Sequence, residues 1–117
     1  MLVDRVRVLG SDHPETLASR GNLAGWRGAA GDPVGAAAAG EEVLADFLRI
    51  LGSDHPDTLV MRGNLAGWRG MAGDPAGAAA AFEEVLADFL RVLGSDHPDT
   101  LAARRSLDFW RNRAGLT

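Results

Sequence analysis

The pentapeptide Gly-Ser-Asp-His-Pro occupies residues 10–14 and returns at residues 52–56 and 94–98, so the chain repeats with a period of 42 residues. The units 10–51 and 52–93 are identical at 35 of 42 positions. Self-similarity at a fixed period of this length is the signature of a solenoid, in which each unit buries its apolar face against its neighbours. The sequence therefore predicts one elongated repeat domain.

Each unit is predicted to be a hairpin of two helices, which we name A and B. In the second unit helix A begins at Pro56, since proline is favoured in the first turn of a helix, and it runs to about Met71. Asp54 precedes this start and Asp57 lies three residues further on, an arrangement like a capping box. We therefore expect Asp54 to satisfy the free backbone amides of helix A.

Helix B follows after a short turn. Gly73 can adopt the left-handed conformation that ends helix A, and Asp74 and Pro75 supply the cap and the first residue of helix B. Apolar residues then recur at the three- and four-residue spacing of one helix face: Ala78, Phe82, Val85, Leu86, Phe89 and Leu93. No segment shows strand alternation, so the predicted fold class is all-α, a solenoid of antiparallel helical hairpins.

The repeat also predicts how the single domain is divided. In chain order the parts are a partial helix B at 2–9, the first repeat at 10–51, the second repeat at 52–93 and a terminal helix A at 94–117. Apolar residues are expected to remain uncovered at the two ends: Val6 and Leu9 at one, and Leu101, Leu107 and Trp110 at the other. At least three repeats are usually needed for stability, so we predict a homo-oligomer.

Composition narrows the function classes. The chain has 117 residues, of which 46% are hydrophobic and 24% charged, as in one small globular domain. It has no cysteine, lysine or tyrosine, which excludes thiolate metal sites, cysteine nucleophiles and lysine Schiff bases. The formal net charge of -4 gives no general attraction to nucleic acid or anionic membranes, and no stretch is apolar enough to span a membrane. We expect a cytoplasmic protein, and the preference for arginine over lysine is typical of GC-rich bacteria.

Two linked motifs resemble a known family. Leu51-Gly52-Ser53-Asp54-His55-Pro56 is followed by Asn64-Leu65-Ala66, as in tetratricopeptide repeats of the 42-residue kinesin light chain type. This resemblance implies a right-handed superhelix whose A helices line a concave groove. It further implies a scaffold that binds a peptide or protein partner in that groove.

Asn22 and Asn64 are the first candidate binding residues. By the same resemblance they face the groove, where an amide can donate to and accept from the backbone of an extended peptide. The alternative is an interhelical hydrogen bond that holds neighbouring A helices in register.

Glycines form a stripe on each A helix, predicted to lie on the groove face. They are Gly21, Gly25 and Gly28 in the first unit, and Gly63, Gly67 and Gly70 in the second. A helical glycine costs about 1 kcal/mol relative to alanine, so the stripe requires a close neighbour. That neighbour is a partner in the groove, the next A helix, or another copy of the chain.

The last A helix replaces this stripe with larger residues. Arg105, Phe109 and Asn112 stand at the glycine positions, and Arg113 adds a further positive charge. We expect these four residues to form a bulky, basic end that anchors an anion or an acidic peptide. In the alternative hypothesis, the open ends and the glycine stripes assemble copies of the chain without an external ligand.

Arginine and tryptophan recur in phase with the repeat. Arg20 and Arg27, with their equivalents, are expected to pair with acids of helix B such as Glu41, Glu42 and Asp46, which favours a structural role over nucleic-acid binding. The equivalent tryptophans are expected to pack between helices: Trp26, Trp68 and Trp110.

The three histidines complete the candidates. His13, His55 and His97 occupy equivalent positions before proline. Successive repeats are about 10 Å apart, too far for one metal ion, so we expect these side chains to cap helices. No Ser-His-Asp arrangement is distinct from the repeat, and no glycine loop precedes a lysine. The sequence therefore predicts a protein with no catalytic residues, no cofactor and no metal.

Overall fold

The computed structural model describes residues 13–116, which contain five α-helices and no strand. The helices are α1 (Pro14–Ala29), α2 (Pro33–Leu51), α3 (Pro56–Met71), α4 (Pro75–Leu93) and α5 (Pro98–Arg113). α1, α3 and α5 are the predicted A helices, and α2 and α4 are the B helices. The predicted partial helix at 2–9, with Val6 and Leu9, lies outside the described residues.

The helices form a solenoid. Each helix packs mainly on the helix next to it in the chain, while α1 touches α3 and α3 touches α5 over smaller areas. The molecule measures 48 × 32 × 20 Å along its principal axes. The predicted all-α hairpin architecture is confirmed. Within residues 13–116 there is no helix of the length and apolarity that a bilayer crossing requires.

The N-terminus of each A helix is capped by histidine, not by aspartate. Nδ1 of His55 accepts the backbone N–H of Asp57 at 3.1 Å, and His13 and His97 make the same bond. The prediction that Asp54 caps α3 was therefore wrong, whereas the capping role predicted for the histidines is confirmed. Asp54 instead binds the guanidinium of Arg91 through both carboxylate oxygens, at 2.7 and 3.0 Å.

The turns into the B helices follow the prediction. Gly73 has a φ of +111°, a conformation that side-chain-bearing residues rarely adopt. Asp74 then caps α4 by accepting the backbone N–H of Gly77 at 3.0 Å, and Asp32 caps α2 in the same way. In each hairpin the turn between helix A and helix B therefore contains a glycine and an aspartate that caps helix B.

The core consists of two apolar clusters, one for each hairpin. The first includes Leu17, Val43, Phe47 and Trp68. The second includes Leu59, Val85, Phe89 and Trp110. Each cluster is completed by the tryptophan of the next A helix, so every hairpin depends on its successor for part of its core.

Tryptophan packing was predicted correctly for two of the three repeats. Trp68 and Trp110 are 9% and 8% exposed, but Trp26 is 69% exposed. In the other repeats this side chain packs on the hairpin before it, and residues 13–116 contain no hairpin before α1. The packing predicted for Trp26 was therefore wrong for the part of the chain that the structure describes.

Candidate functional site

The A helices carry a cleft between α1 and α3, which we call the first cleft. It encloses about 210 Å³. Its lining consists of Ala18, Gly21, Asn22, Phe47, Asp57, Val60, Met61 and Asn64. Seven of these eight residues come from α1 and α3, because positions spaced by three or four residues share one face of a helix.

A second cleft lies between α3 and α5 and encloses about 140 Å³. Its lining consists of Val60, Gly63, Asn64, Phe82, Phe89, Asp99, Ala102, Ala103 and Ser106. Val60 and Asn64 border both clefts, so the two form one continuous strip across the three A helices. We call this strip the groove.

The structure brings the two predicted asparagines together. Asn22 and Asn64 are both exposed and both line the first cleft. Within residues 13–116 neither side-chain amide forms a hydrogen bond with another residue, so the interhelical bond that was the alternative prediction is not formed. Both amides are therefore available to a molecule in the groove.

Charged side chains of helix A and helix B form ion pairs within each hairpin. Arg20 binds Asp46 at 2.7 Å and Arg62 binds Asp88 at 2.6 Å, each pair joining helix A to helix B of one hairpin. Hydrogen bonds from these arginines, with smaller contributions from Arg49 and Arg91, hold the pKa of Asp46 and Asp88 below its ordinary value.

Successive hairpins are joined by similar pairs. Arg69 binds Glu41 of the preceding B helix at 2.7 Å, and Arg111 binds Glu83 at 3.4 Å. The predicted pairing of arginines with helix B acids is thus confirmed for Arg20 and for these repeat equivalents. Arg27 differs, because it reaches Asp32 in the turn.

Part of the glycine stripe serves close packing between A helices. A Cβ added at Gly28 would lie 3.1 Å from Trp68, and one added at Gly70 would lie 2.6 Å from Trp110. Gly21 and Gly63, in contrast, line the clefts. Of the neighbours that the sequence left open, the next A helix accounts for Gly28 and Gly70.

The four residues of the predicted basic end differ in their surroundings. The guanidinium of Arg113 lies 4.9 Å from the ring centroid of Phe109, and both residues line an open cleft of about 500 Å³ beside Met71. Arg105 and Asn112 are exposed but line none of the clefts described here. The structure therefore stacks Arg113 on Phe109, and within residues 13–116 no hydrogen bond or ion pair joins Arg105 or Asn112 to that pair.

The apolar surface predicted at the same end is smaller than expected. Leu107 and Trp110 are 6% and 8% exposed because both pack onto the second hairpin, so the prediction that they remain uncovered was wrong. Leu101 is 41% exposed, as predicted. Asp108 is exposed at the position where Ala24 and Ala66 are buried, which makes this face of α5 largely polar.

A family profile described as the tetratricopeptide repeat matches residues 16–57 and again residues 58–99. The chain belongs to the tetratricopeptide repeat family. Tetratricopeptide repeats are generally scaffolds for protein–protein interaction and typically have no catalytic activity. No curated protein sequence matches this tetratricopeptide chain significantly.

Two solved structures are similar to the tetratricopeptide chain over nearly its whole length. Both are crystal structures of a Podosopora anserina protein of the kinesin light chain type with nearly identical TPR-like repeats, and one is a variant with one glutamine replaced by methionine. Both are 30% identical to this chain and cover 98% of it, with TM-scores of 0.85 and 0.84. The chain spans 55% and 54% of their lengths, about half. The predicted resemblance to the kinesin light chain type is confirmed.

The sequence analysis did not assign Asp57, Val60 or Asp99 to the tetratricopeptide groove, although all three line the clefts. Their spacing could have found them, since Asp57 and Val60 lie seven and four residues before Asn64 on one face of α3. Asp99 is the 42-residue equivalent of Asp57.

Proposed function

We propose that the protein binds a peptide or protein partner through the groove, without catalysis. The observation that carries this proposal is the continuity of the two clefts through Val60 and Asn64. An extended chain laid across the A helices would contact apolar side chains along the strip. It would also exchange backbone hydrogen bonds with the free amides of Asn22 and Asn64.

The pair formed by Phe109 and Arg113 extends the proposed binding surface. An aromatic ring with a guanidinium stacked on it can hold an apolar side chain and a nearby anionic group. Arg105 and Asn112 are exposed and share a face of α5 with Phe109, because the three positions are spaced by four and three residues, so a partner that contacts Phe109 can reach them.

Self-association is the second candidate function. At the α1 end Leu23 and Trp26 are 43% and 69% exposed, although their equivalents Leu65 and Trp68 are buried. Val34 is also exposed on α2. An apolar surface of this kind is a recognised contact site between proteins, and a second copy of the chain is one occupant.

One experiment separates the two functions. A phage-displayed library of unstructured peptides is selected on the protein, and the affinity of an enriched peptide is measured by fluorescence anisotropy for the double variant Asn22→Ala, Asn64→Ala. We expect an affinity loss of about 5- to 100-fold, the effect of two lost hydrogen bonds. Light scattering on the same samples reports the oligomeric state.

The double variant Ser53→Ala, Ser95→Ala is the matched control, because it removes two exposed, neutral polar side chains that line neither cleft. Groove binding requires the asparagine double variant to lose affinity while its mass and the affinity of the serine double variant are unchanged. Loss of assembly in the asparagine double variant would favour self-association. Failure of the library to yield any peptide, or full affinity in the asparagine double variant, would overturn binding through the groove.

A further inference from the structure

The ionisable residues that line the groove are all acidic. Among the described residues of both clefts they are Asp57 and Asp99, one on α3 and one on α5. These carboxylates are 66% and 45% exposed. The groove is therefore negative, although arginine is common elsewhere in the chain.

Within residues 13–116 no arginine pairs with these two carboxylates, in contrast to Asp46 and Asp88. A histidine Nδ1 lies 4.0 Å from Asp57 and 3.9 Å from Asp99. Each of these nitrogens accepts a backbone N–H and lies beyond hydrogen-bond distance of the carboxylate.

The repeat places the two acids at equivalent positions on neighbouring A helices. From the usual packing distance of helices we expect a separation of about 10 Å. A polyproline II chain rises about 3.1 Å per residue and has three residues per turn. Residues three apart in such a chain therefore lie on one face, about 9 Å from each other.

The surface between the acids also suits this conformation. Val60 lies between the clefts with 38% of its surface exposed and offers an apolar contact. The free amide of Asn64 lies beside it, bordering both clefts. A polyproline II backbone makes no internal hydrogen bonds, so its N–H and C=O groups are available to this amide.

We propose that the groove selects an extended segment of a protein partner with a basic residue at every third position, one for Asp57 and the next for Asp99. The proposal rests on the proposed function, since it specifies the ligand of the same groove. A basic ligand is opposite in charge to the acidic peptide that the sequence predicted at Arg113.

The test uses three proline-rich probe peptides that differ at every third position, which carries arginine, glutamine or glutamate. Binding to the protein is measured by fluorescence anisotropy at low and at raised ionic strength. We expect the arginine peptide to bind best and the glutamate peptide worst. We also expect salt to weaken the binding of the arginine peptide, because the carboxylates are exposed.

Charge variants locate the effect. The double variant Asp57→Asn, Asp99→Asn should lower the affinity for the arginine peptide by about tenfold and leave the affinity for the glutamine peptide unchanged. The matched control Asp96→Asn, Asp108→Asn removes the same net charge from exposed positions that line neither cleft. It should leave the binding of all three peptides nearly unchanged. Circular dichroism of both variants checks that the helices are intact.

Each result has a separate meaning. Preference for the glutamate peptide, or equal losses in the groove variant and the control, would overturn the basic ligand and leave the proposed function standing. If no peptide of any charge bound, and the library selection had also failed, the proposed function itself would fall. Weaker binding of the arginine peptide in the groove variant, but not in the control, would support both the basic ligand and the proposed function.

Discussion

Gly67 and Gly70 lie three residues apart on α3 and have opposite surroundings. A Cβ added at Gly67 meets no atom within 4 Å, whereas one added at Gly70 would lie 2.6 Å from the ring of Trp110. The ring lies against the α3 backbone only because residue 70 has no side chain. At Gly70 the cost of glycine in a helix is thus balanced by close packing of the next repeat.

This contrast gives a paired prediction for stability. Gly70→Ala should lower the free energy of unfolding by about 1–3 kcal/mol, because the large ring of Trp110 must move. Gly67→Ala should raise it by up to about 1 kcal/mol, because alanine is the better helix former and the space is open. Urea denaturation measures both. Equal effects of the two substitutions would show that Trp110 does not depend on a glycine in α3.

The sequence was informative at this scale where the repeat itself carries the signal. The period placed Asn22 and Asn64 at equivalent positions, and the structure puts both in one cleft. Side-chain choices between neighbours were harder to predict. The cap of α3 was assigned to Asp54 because Asp54 and Asp57 are arranged like a capping box, but Asp54 forms an ion pair with Arg91, which is 37 residues away in the chain.

At the scale of elements, the bounds of the A and B helices followed directly from Pro, Gly and Asp at fixed places in the unit. The exposed surface of a terminal helix could not be predicted from these residues. Leu107 and Trp110 were expected to be exposed because no B helix follows α5, yet both face the preceding hairpin. Periodicity indicates which residues share a face, but it does not show which of two neighbouring hairpins that face meets.

Within a hairpin, the pair of Arg62 and Asp88 joins α3 to α4 and makes stability depend on pH. Hydrogen bonds from Arg62 and Arg91 lower the pKa of Asp88 below its ordinary value of 3.8. A carboxylate with a lowered pKa in the folded state stabilises the fold above its unfolded pKa. That contribution is lost as the pH falls below 3.8 and through the lowered value.

We therefore expect Asp88→Asn to lower the free energy of unfolding by about 1 kcal/mol at neutral pH, since both side chains are mostly shielded from solvent. The difference from the unmodified protein should shrink as the pH falls below 3.8 and vanish once Asp88 itself is protonated, below its lowered pKa. Urea denaturation across the pH range measures it. Asp96→Asn, at an exposed loop acid, is the control and should have little effect at any pH. A deficit of Asp88→Asn that persisted in acid would point to lost packing instead of lost charge.

At the scale of the whole molecule, stability passes from one hairpin to the next. Contacts are extensive between consecutive helices and sparse between α1 and α3 or α3 and α5. Arrays of this kind behave approximately as a sum of unit stabilities and nearest-neighbour interfaces. The tryptophans of α3 and α5 are the largest side chains at those interfaces, and each completes the core of the hairpin before it.

The position of each tryptophan then determines how far along the chain the destabilisation spreads when that tryptophan is replaced by alanine. Trp110→Ala removes the last interface, so amide hydrogen exchange should accelerate in α5 and α4 and change little in α1 and α2. Trp68→Ala removes the central interface and should accelerate exchange in both hairpins, with a cost of about 3–5 kcal/mol for a buried tryptophan.

Trp26→Ala is the matched control, because this side chain is 69% exposed in the structure. It should leave exchange unchanged throughout residues 13–116. If Trp110→Ala accelerated α1 as strongly as α5, the molecule would unfold as one cooperative unit, and the nearest-neighbour description would fail.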